Sequence, residues 1–335
     1  MQQQDRMQRQ DQMQQKAQMQ LNADQPVRIM HRSSWALLIL VSVLVPIYYW
    51  LLIDSSGGDA PHHLDIAALR VEANRMPGAK PVAIEYEWAA GRLSPGTLLV
   101  AGGGLKRQPV ATIAFRLLTP GGDTMIDSGL SRQQAHAMGY TIINEARVAQ
   151  IQQALSSARR LLFTHEHLDQ IGGLLAHPEF GTIARHTILT PEQSPQAPLA
   201  RNLPWPADKS ALPAPLVYTG MKAVAPGIVL IRSPSHTPGS QMIFVQLQNG
   251  HEFVFPGDIA AMQRNVTWLR PRSRLLADWL APEDRGQAIA WLHALAELKQ
   301  QQPDLTIVYA RDFTWLNGPR ARALLHEGFT PDAAP

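Results

Sequence analysis

Residues 33–53 read SSWALLILVSVLVPIYYWLLI, and no charged group interrupts the run. A helix needs about 20 consecutive apolar residues to cross a bilayer, so this stretch is expected to span a membrane. Pro46 is tolerable in such a helix, and Tyr48, Tyr49 and Trp50 near its far end suit the lipid–water interface. A buried core helix and a cleaved signal peptide pass the same first test. The run exceeds the usual signal core of about 7–15 residues, and no clear A-x-A site follows, so an uncleaved signal-anchor is the expectation. Arg28, His31 and Arg32 precede the run, whereas Asp54, Asp59 and Asp65 follow it. The excess of positive charge on the first side puts the N-terminus in the cytoplasm and the rest beyond the inner (cell) membrane, in a bacterium the periplasm.

That segment divides the chain. Residues 1–32 form a Gln-rich tail, too poor in apolar side chains to fold alone, for which disorder or a fraying helix is expected. Residues 33–53 are the membrane helix and residues 54–80 a linker with a short helix near 66–74. The pair His62–His63 in that linker reads as solvated rather than as a metal tag. Residues 81–335 make the folded domain. The pI near 9.3 invites a nucleic-acid reading. The first 53 residues, however, hold five basic groups against three acids. Taken from 30 and 27, these leave 25 and 24 for residues 54–335. A domain so nearly neutral lacks the basic stripe that tracks phosphates, and no nucleic-acid partner is expected. The absence of cysteine removes thiolate ligands, disulfides and a Cys nucleophile.

From residue 81, β-like runs bounded by Gly, Pro and Asp follow one another: VAIEYEWAAG, GTLLVAGG, VATIAFRLL and DTMIDSG. A helix near 142–158 and the strand RLLFTH complete the first half. HTILT, PLVYTG, IVLIRSP, QMIFVQLQNG and HEFVFPGD begin the second, which ends in a helix over PEDRGQAIAWLHALAELKQ, the strand DLTIVYA and a short helix near 318–326. Strand-rich halves closed by helices imply an α/β fold of two sheets packed face to face with helices outside.

Candidate chemistry collects at strand ends. MIDSG carries Asp127; THEHLDQIGG carries His165, His167, Asp169 and Gln170; SPSHTPGS carries His236; and FPGDIA carries Asp258. Zinc takes imidazole nitrogens and carboxylate oxygens, and a catalytic site leaves one position open. Histidines at i and i+2 beyond a strand project to one side. The zinc-helix motif HExxH is excluded, because Asp169 stands where its second His belongs.

The HxHxD–G–G loop, followed by HTPGS and GD, resembles the metallo-β-lactamase-fold hydrolases over about residues 95–325. The resemblance implies a four-layer αβ/βα sandwich with its site at one edge of the sheets. It implies His165, His167 and His236 as ligands of a first metal, Asp258 as a bridge towards a second, Asp169 as a ligand of that second metal, and Asp127 as a supporting acid. Two positions depart from the pattern. Gln170 replaces the usual second-metal His, and in VYARDF Arg311 takes the place of a later His, with Asp312 the alternative if the register shifts by one. Glutamine is a poor neutral ligand, and arginine keeps its proton in proteins. The expectation is one Zn2+ (or another divalent metal), with Arg311 a fixed cation in the vacant second position, paired with Asp169 or Asp258 or gripping substrate. Asp169 would orient the attacking water or act as general base. The reaction expected is hydrolysis of an ester, lactone, thioester or amide, the substrate a small molecule; the alternative is a non-catalytic sensor or scaffold. Phosphodiester hydrolysis fits less well, because the family's nuclease branches generally rely on two metals.

Beyond Asp258, Arg264, Arg270, Arg272 and Arg274 alternate with Trp268 and Trp279. Of these, Arg270 and Trp268 are candidates for binding an anionic or ring-bearing substrate; the bland reading is a solvated basic face over core tryptophans. Residues 191–215, rich in Pro and Ala, are expected to form a long loop near the site with Trp205 as its apolar contact. The remaining histidines (136, 177, 186, 251, 293 and 326) fall in no ligand motif.

Overall fold

The alternation of apolar faces in IVLIR shows how this chain builds its layers. In strand Ile228–Arg232, Ile228 and Leu230 face one apolar cluster while Val229 and Ile231 face another. Successive side chains point to opposite sides of a strand, so a continuous apolar run requires cover on both faces.

The computed structural model describes residues 2–23 and 31–330. The chain divides into a unit ending at Tyr48 and a unit beginning at Tyr49. In the first, helix α1 spans Gln2–Ala23 and helix α2 starts at Arg32, ending at Leu52. The Gln-rich tract is thus helical, as straight-chained Gln, Met, Lys and Arg permit, with residues 6–20 exposed. Among the described residues α2 alone is long and apolar enough to cross a membrane. Arg28, part of the charge argument for orientation, lies outside the described residues.

In the second unit, the stretch read as a linker is packed into the domain. Arg285 donates to the carbonyls of Ser56 and Asp54 at 2.5 and 2.6 Å. His62 stacks on Trp291 at 3.9 Å, and its Nε2 meets Gln287 at 2.7 Å. Helix α3 (Ile66–Ala73) is capped by Asp65, which accepts from Ala67 and Ala68, and it buries Leu69 and Ala73. Polar and Gly-rich composition suggested a tether; the few apolar residues inside it cover one face of a sheet.

The first sheet contains β1 (Ala83–Pro95), β2 (Arg107–Leu118), β3 (Thr124–Ile126), β4 (Ile142–Ile143), β5 (Arg160–Leu162) and β6 (Thr187–Ile188). The second contains β7 (Met221–Ala225), β8 (Ile228–Arg232), β9 (Gln241–Gln246), β10 (Glu252–Phe255) and β11 (Thr306–Ile307). A last strand, β12 (His326–Glu327), pairs in parallel with β1. The strand orders are β12-β1-β2-β3-β5-β6, with β4 also on β1, and β11-β10-β9-β8-β7. Phe115, Ile126, Leu162, Leu230, Ile243 and Phe255 form the core between the sheets.

Helices cover the outer faces. Helix α4 (Glu145–Ser157), capped by Asn144, buries Ile151, Ala154 and Leu155, the spacing of one helical face. With helix α5 (Leu168–Leu175) it packs on Met125, Leu161 and Phe163. Helix α6 (Arg285–Gln301), capped by Asp284, joins α3 on the second sheet through Leu292, Leu295 and Leu298. The expected mixed α/β two-sheet fold is present. Two runs read as strands differ: residues 96–99 make a single helical turn after Pro95, and residues 215–220 pair with no sheet, the strand lying instead at 221–225.

Helix α5 approaches the loop after β3 so closely that its glycine is obligatory. A Cβ on Gly173 would stand 2.0 Å from the Ser128 carbonyl oxygen. Gly173→Ala is therefore expected to lower stability by about 1–3 kcal/mol in urea denaturation. Gly181→Ala, with nothing within 4 Å of the new methyl, serves as the neutral comparison.

Candidate metal centre

The β3, β5, β8, β10 and β11 strands each end on one side of the domain, and Asp127, His165, His236, Asp258 and Arg311 follow those ends. Asp127 comes directly after β3 in the left-handed region, at φ 58°, which a non-glycine residue adopts only where its surroundings enforce it. Its carboxylate accepts from Thr164 N at 2.8 Å and from Thr164 Oγ1 at 2.9 Å. That hydroxyl proton is committed to Asp127, so at 3.1 Å Thr164 Oγ1 accepts from Nδ1 of His165. The lone pair of His165 is thereby left on Nε2, facing inward.

Between the two histidines of the loop, Glu166 faces away. It accepts from Thr237 Oγ1 at 2.7 Å and from Gly239 N at 3.0 Å, tying the His165–His167 loop to the loop carrying His236. A Cβ on Gly239 would lie 2.4 Å from a Glu166 oxygen, which explains the glycine of HTPGS. His236 has a similar support. Its Nδ1 lies 2.7 Å from Glu283 Oε2 and 3.2 Å from Arg272 Nη1. One ring nitrogen cannot both donate and accept, and the shorter contact makes it the donor to Glu283, leaving the lone pair on Nε2.

The three imidazoles converge. A ring nitrogen from each of His165, His167 and His236 lies within 4.8 Å of the others, and His236 Nε2 is 3.0 Å from His167 Nδ1. Burial holds all three rings below the ordinary histidine range, and neighbouring His236 adds to this at His165, Arg272 at His236. Neutral imidazoles sharing an inward pocket, two of them fixed from behind, form a donor set that fits zinc with a position to spare.

Asp258, expected as a ligand, lies beside the triad: its Oδ2 is 3.6 Å from His236 Nε2 and 3.9 Å from His165 Nε2. Both its oxygens are engaged by cations. Arg272 Nη2 donates to Oδ2 at 2.7 Å, and Arg311 Nε reaches Oδ1 and Oδ2 at 2.6 and 2.8 Å. Arg311 Nη2 meets Asp169 Oδ2 at 2.5 Å, so one guanidinium bridges two buried carboxylates. Tyr140 OH adds a link, donating to Asp169 at 3.2 Å and accepting from Arg311 at 3.3 Å. The Gln170 amide closes the group. Oriented to suit its neighbours, its nitrogen donates to Asp169 Oδ1 at 2.6 Å and to His165 Nε2 at 3.2 Å, and its oxygen accepts from Arg311 Nη2 at 2.8 Å. Asp312, the alternative to Arg311, instead caps the turn Phe313–Leu316.

A cavity of about 420 Å³ opens on this group. His167, Asp169, Asp258, Arg272 and Arg311 form its polar floor, and Leu98, Leu99, Leu168, Leu203 and Leu276 its apolar walls. Arg270 and Trp268 do not line it. Arg270 donates to the Ala101 carbonyl, and Trp268 stands half-exposed beside Arg264 and Arg270. Trp205 is likewise turned away, packed on the α4–α5 cluster; the 191–215 segment reaches the cavity through Leu203. Sequence reasoning passed over Tyr140 and Glu283 and did not separate Arg272 from its neighbours. All three act across long stretches of chain, and no local spacing marks them.

Residues 107–310 match the family model of the metallo-beta-lactamase superfamily. No curated protein matches the chain. Among solved structures, a quorum-quenching N-acyl homoserine lactone lactonase is similar, with TM-score 0.56, 16% identity, 72% of this chain covered and 96% of that one. An N-acyl homoserine lactone hydrolase holding its product N-hexanoyl-L-homoserine at the catalytic metal center gives TM-score 0.55 and 16% identity over 70% and 95%. A "probable metal-dependent hydrolase" from Staphylococcus aureus gives 0.54 and 17% over 70% and 91%. At these identities the likeness is one of fold.

The ion-pair cluster has a measurable signature. Burial alone would raise the carboxyls of Asp169 and Asp258, but Arg311, joined at Asp258 by Arg272, holds both below the ordinary range. Because the folded values are depressed, this stabilisation is complete above the unfolded carboxylate value of about 3.9 and is lost as pH falls through the folded values. Arg311→Met removes one partner of a buried pair and is expected to cost about 3–5 kcal/mol at neutral pH in urea denaturation. In the variant burial is left to favour the protonated acids, so its deficit relative to the parent narrows on acidification.

Proposed function

This chain belongs to the metallo-β-lactamase superfamily, and from that premise we propose that it hydrolyses a small acyl compound at a centre built for one metal ion. The observation that carries this reading is Arg311, whose guanidinium lies between Asp169 and Asp258 beside the three converging imidazoles. A guanidinium about 4 Å from a dication is repelled by roughly 8 kcal/mol at an effective dielectric of 20, twice the value of about 4 for a pair of unit charges. A second metal between those carboxylates and Arg311 in its present place are mutually exclusive.

His165, His167 and His236 would hold the metal. A zinc ion there would supply Lewis acidity and make a water deprotonable near neutral pH. Asp169, ionised and fixed by Arg311 and Tyr140, faces the cavity where an attacking water needs an acceptor. Arg272 and Arg311 present buried donors to the same space, where negative charge on a carbonyl oxygen would be stabilised. The apolar walls suit the acyl part of an ester, lactone, thioester or amide. A second reading, a non-catalytic binding or sensor domain, draws support from the Gln170 amide, which occupies the inward lone pair of His165. The two differ in metal content.

We also propose that α2 anchors the domain in the inner membrane. Its length and uncharged composition support this, and His31 and Arg32 before it with Asp54 and Asp59 after it favour a cytoplasmic N-terminus and a periplasmic domain.

Full-length protein purified in detergent is expected to carry one equivalent of zinc by plasma mass spectrometry; two equivalents would overturn the single-metal reading. His165→Ala and His236→Ala should lose the metal and all turnover against a panel of lactones, including N-acyl homoserine lactones, esters, thioesters and amides. Unchanged turnover in either variant rules out metal-dependent hydrolysis. Along an acyl series, each methylene buried on the apolar wall should raise kcat/KM roughly fourfold, corresponding to about 0.8 kcal/mol.

A further inference from the structure

Part of the cavity lining comes from the segments that receive the end of the apolar helix. The Leu52 carbonyl accepts from Thr97 Oγ1 at 2.9 Å and from Gly102 N at 2.7 Å. Arg274 stacks over Trp50 at 5.6 Å and pairs with Asp54 at 2.9 Å. Gly102 is wedged between Arg270 and Ile53: a Cβ there would lie 2.1 Å from Arg270 Nη1 and 3.7 Å from Ile53 Cγ2. Residues 50–54, 97–104 and 268–280 therefore form one contiguous region. Leu98, Leu99 and Leu276 of this region line the cavity.

The outward side of the same region is apolar where a soluble surface would be polar. Leu105, Trp279 and Leu280 are 66%, 67% and 64% exposed, and Trp268, in the same 268–280 segment as the last two, is half-exposed. Trp279 and Leu280 share the short helical stretch 275–280 with Leu276, one turn from the cavity. Cations accompany the patch: Lys106 and Arg107 follow Leu105, and Arg264 and Arg270 lie over Trp268. Two acids of these segments, Asp54 and Asp278, are both engaged by Arg274. Exposed tryptophans in segments that also carry arginine and lysine match the lipid–water interface, where rings sit at headgroup level and cations meet anionic lipid. A patch of this kind marks an interaction surface. Its continuity with the end of the apolar helix selects a bilayer as the occupant.

We propose that the rim formed by Leu105, Trp268, Trp279 and Leu280 lies in the lipid–water interface, so that the cavity opens onto the membrane and takes an acyl amphiphile from it. This rests on the membrane-anchor and acyl-hydrolase readings above. The amphiphile's chain would leave the bilayer along Leu276, Leu98 and Leu99, and its polar carbonyl end would meet Arg272, Arg311 and the histidines. Such a route keeps a long chain out of water on its way to the site.

The chain has no cysteine, so single introduced cysteines label uniquely. Full-length Leu40→Cys, Leu276→Cys, Trp279→Cys, Leu280→Cys and Val217→Cys, each carrying bimane, would be reconstituted in vesicles of phosphatidylcholine and phosphatidylglycerol. Doxyl-labelled phosphatidylcholine in the bilayer is expected to quench Leu40, Trp279 and Leu280 labels several-fold over the remote, exposed Val217 label. Doxyl-labelled stearate in the same vesicles is expected to quench Leu276. Rim or Leu276 labels as lipid-inaccessible as Val217, with Leu40 quenched, overturn the proposal and leave the anchor intact. An unquenched Leu40 label overturns the anchor and the proposal together. Neither result bears on metal content, which tests the hydrolase reading separately.

Discussion

A guanidinium buried between two carboxylates is the constraint around which this site is arranged. Arg311 ties the end of β11 to Asp258 after β10 and to Asp169 at the start of α5, with Tyr140 and Gln170 completing its contacts. Removing charges from water is expensive, and a buried ion pair tolerates that expense only when geometry and hydrogen bonds are both satisfied. Here both oxygens of Asp169 and of Asp258 and all three nitrogens of Arg311 have partners. The arrangement joins the ends of β10 and β11 to the start of α5, and under the single-metal reading proposed above it fills the position between the two carboxylates.

The acids of the site fall into two groups. Asp169 and Asp258 are clamped by arginine and held below the ordinary carboxylate range. Asp127 has no paired arginine and Glu283 has Arg272 only at 3.8 Å, and burial pushes both up, Asp127 to about 7. Each of the second pair stands behind a histidine, Asp127 through Thr164 behind His165 and Glu283 directly behind His236. If all four acids are ionised, Arg272 and Arg311 balance two of them, and the two charges left over lie behind the imidazoles. A dication held by those rings would supply the matching charge, and its field would favour the ionised form of the acids behind them. Arginine pairs beside the triad and acids behind it are the charge pattern that the proposed single-metal reading calls for.

Much of this was legible in sequence because strand ends and short motifs are local. HEHLD, SPSHTPGS and FPGD each place a side chain at the end of a strand, and the sheets bring those ends together. The apolar periodicity of β8 and of α4 announces their layers. What escaped was long-range. Nothing in RPRSR says which arginine turns inward, and the answer, Arg272 rather than Arg270, depends on Asp258 and the Ala101 carbonyl reaching from elsewhere. Glu283 is separated from His236 by 47 residues, and Tyr140 from Asp169 by 29. The stretch after the apolar helix misled for a related reason: its composition is that of a tether, while Leu64, Leu69 and the ring of His62 find partners only in the folded second sheet and the helix α6 that covers it.

Gln170 and Arg311 make sense only together. An amide offers a donor and an acceptor on one planar group, and here it uses the donor on Asp169 and the acceptor on Arg311. An imidazole at the same position has its donor and acceptor on opposite sides of a ring and could not serve both neighbours so closely. Conversely, with Arg311 absent, Asp169 would be a buried carboxylate with no cation paired to it, and Asp258 would keep Arg272 alone. Each departure from the family pattern thus satisfies a group that the other leaves exposed. Independent decay has no reason to produce complementary hydrogen bonds; a site reshaped around one fixed cation does, which is what the single-metal proposal requires.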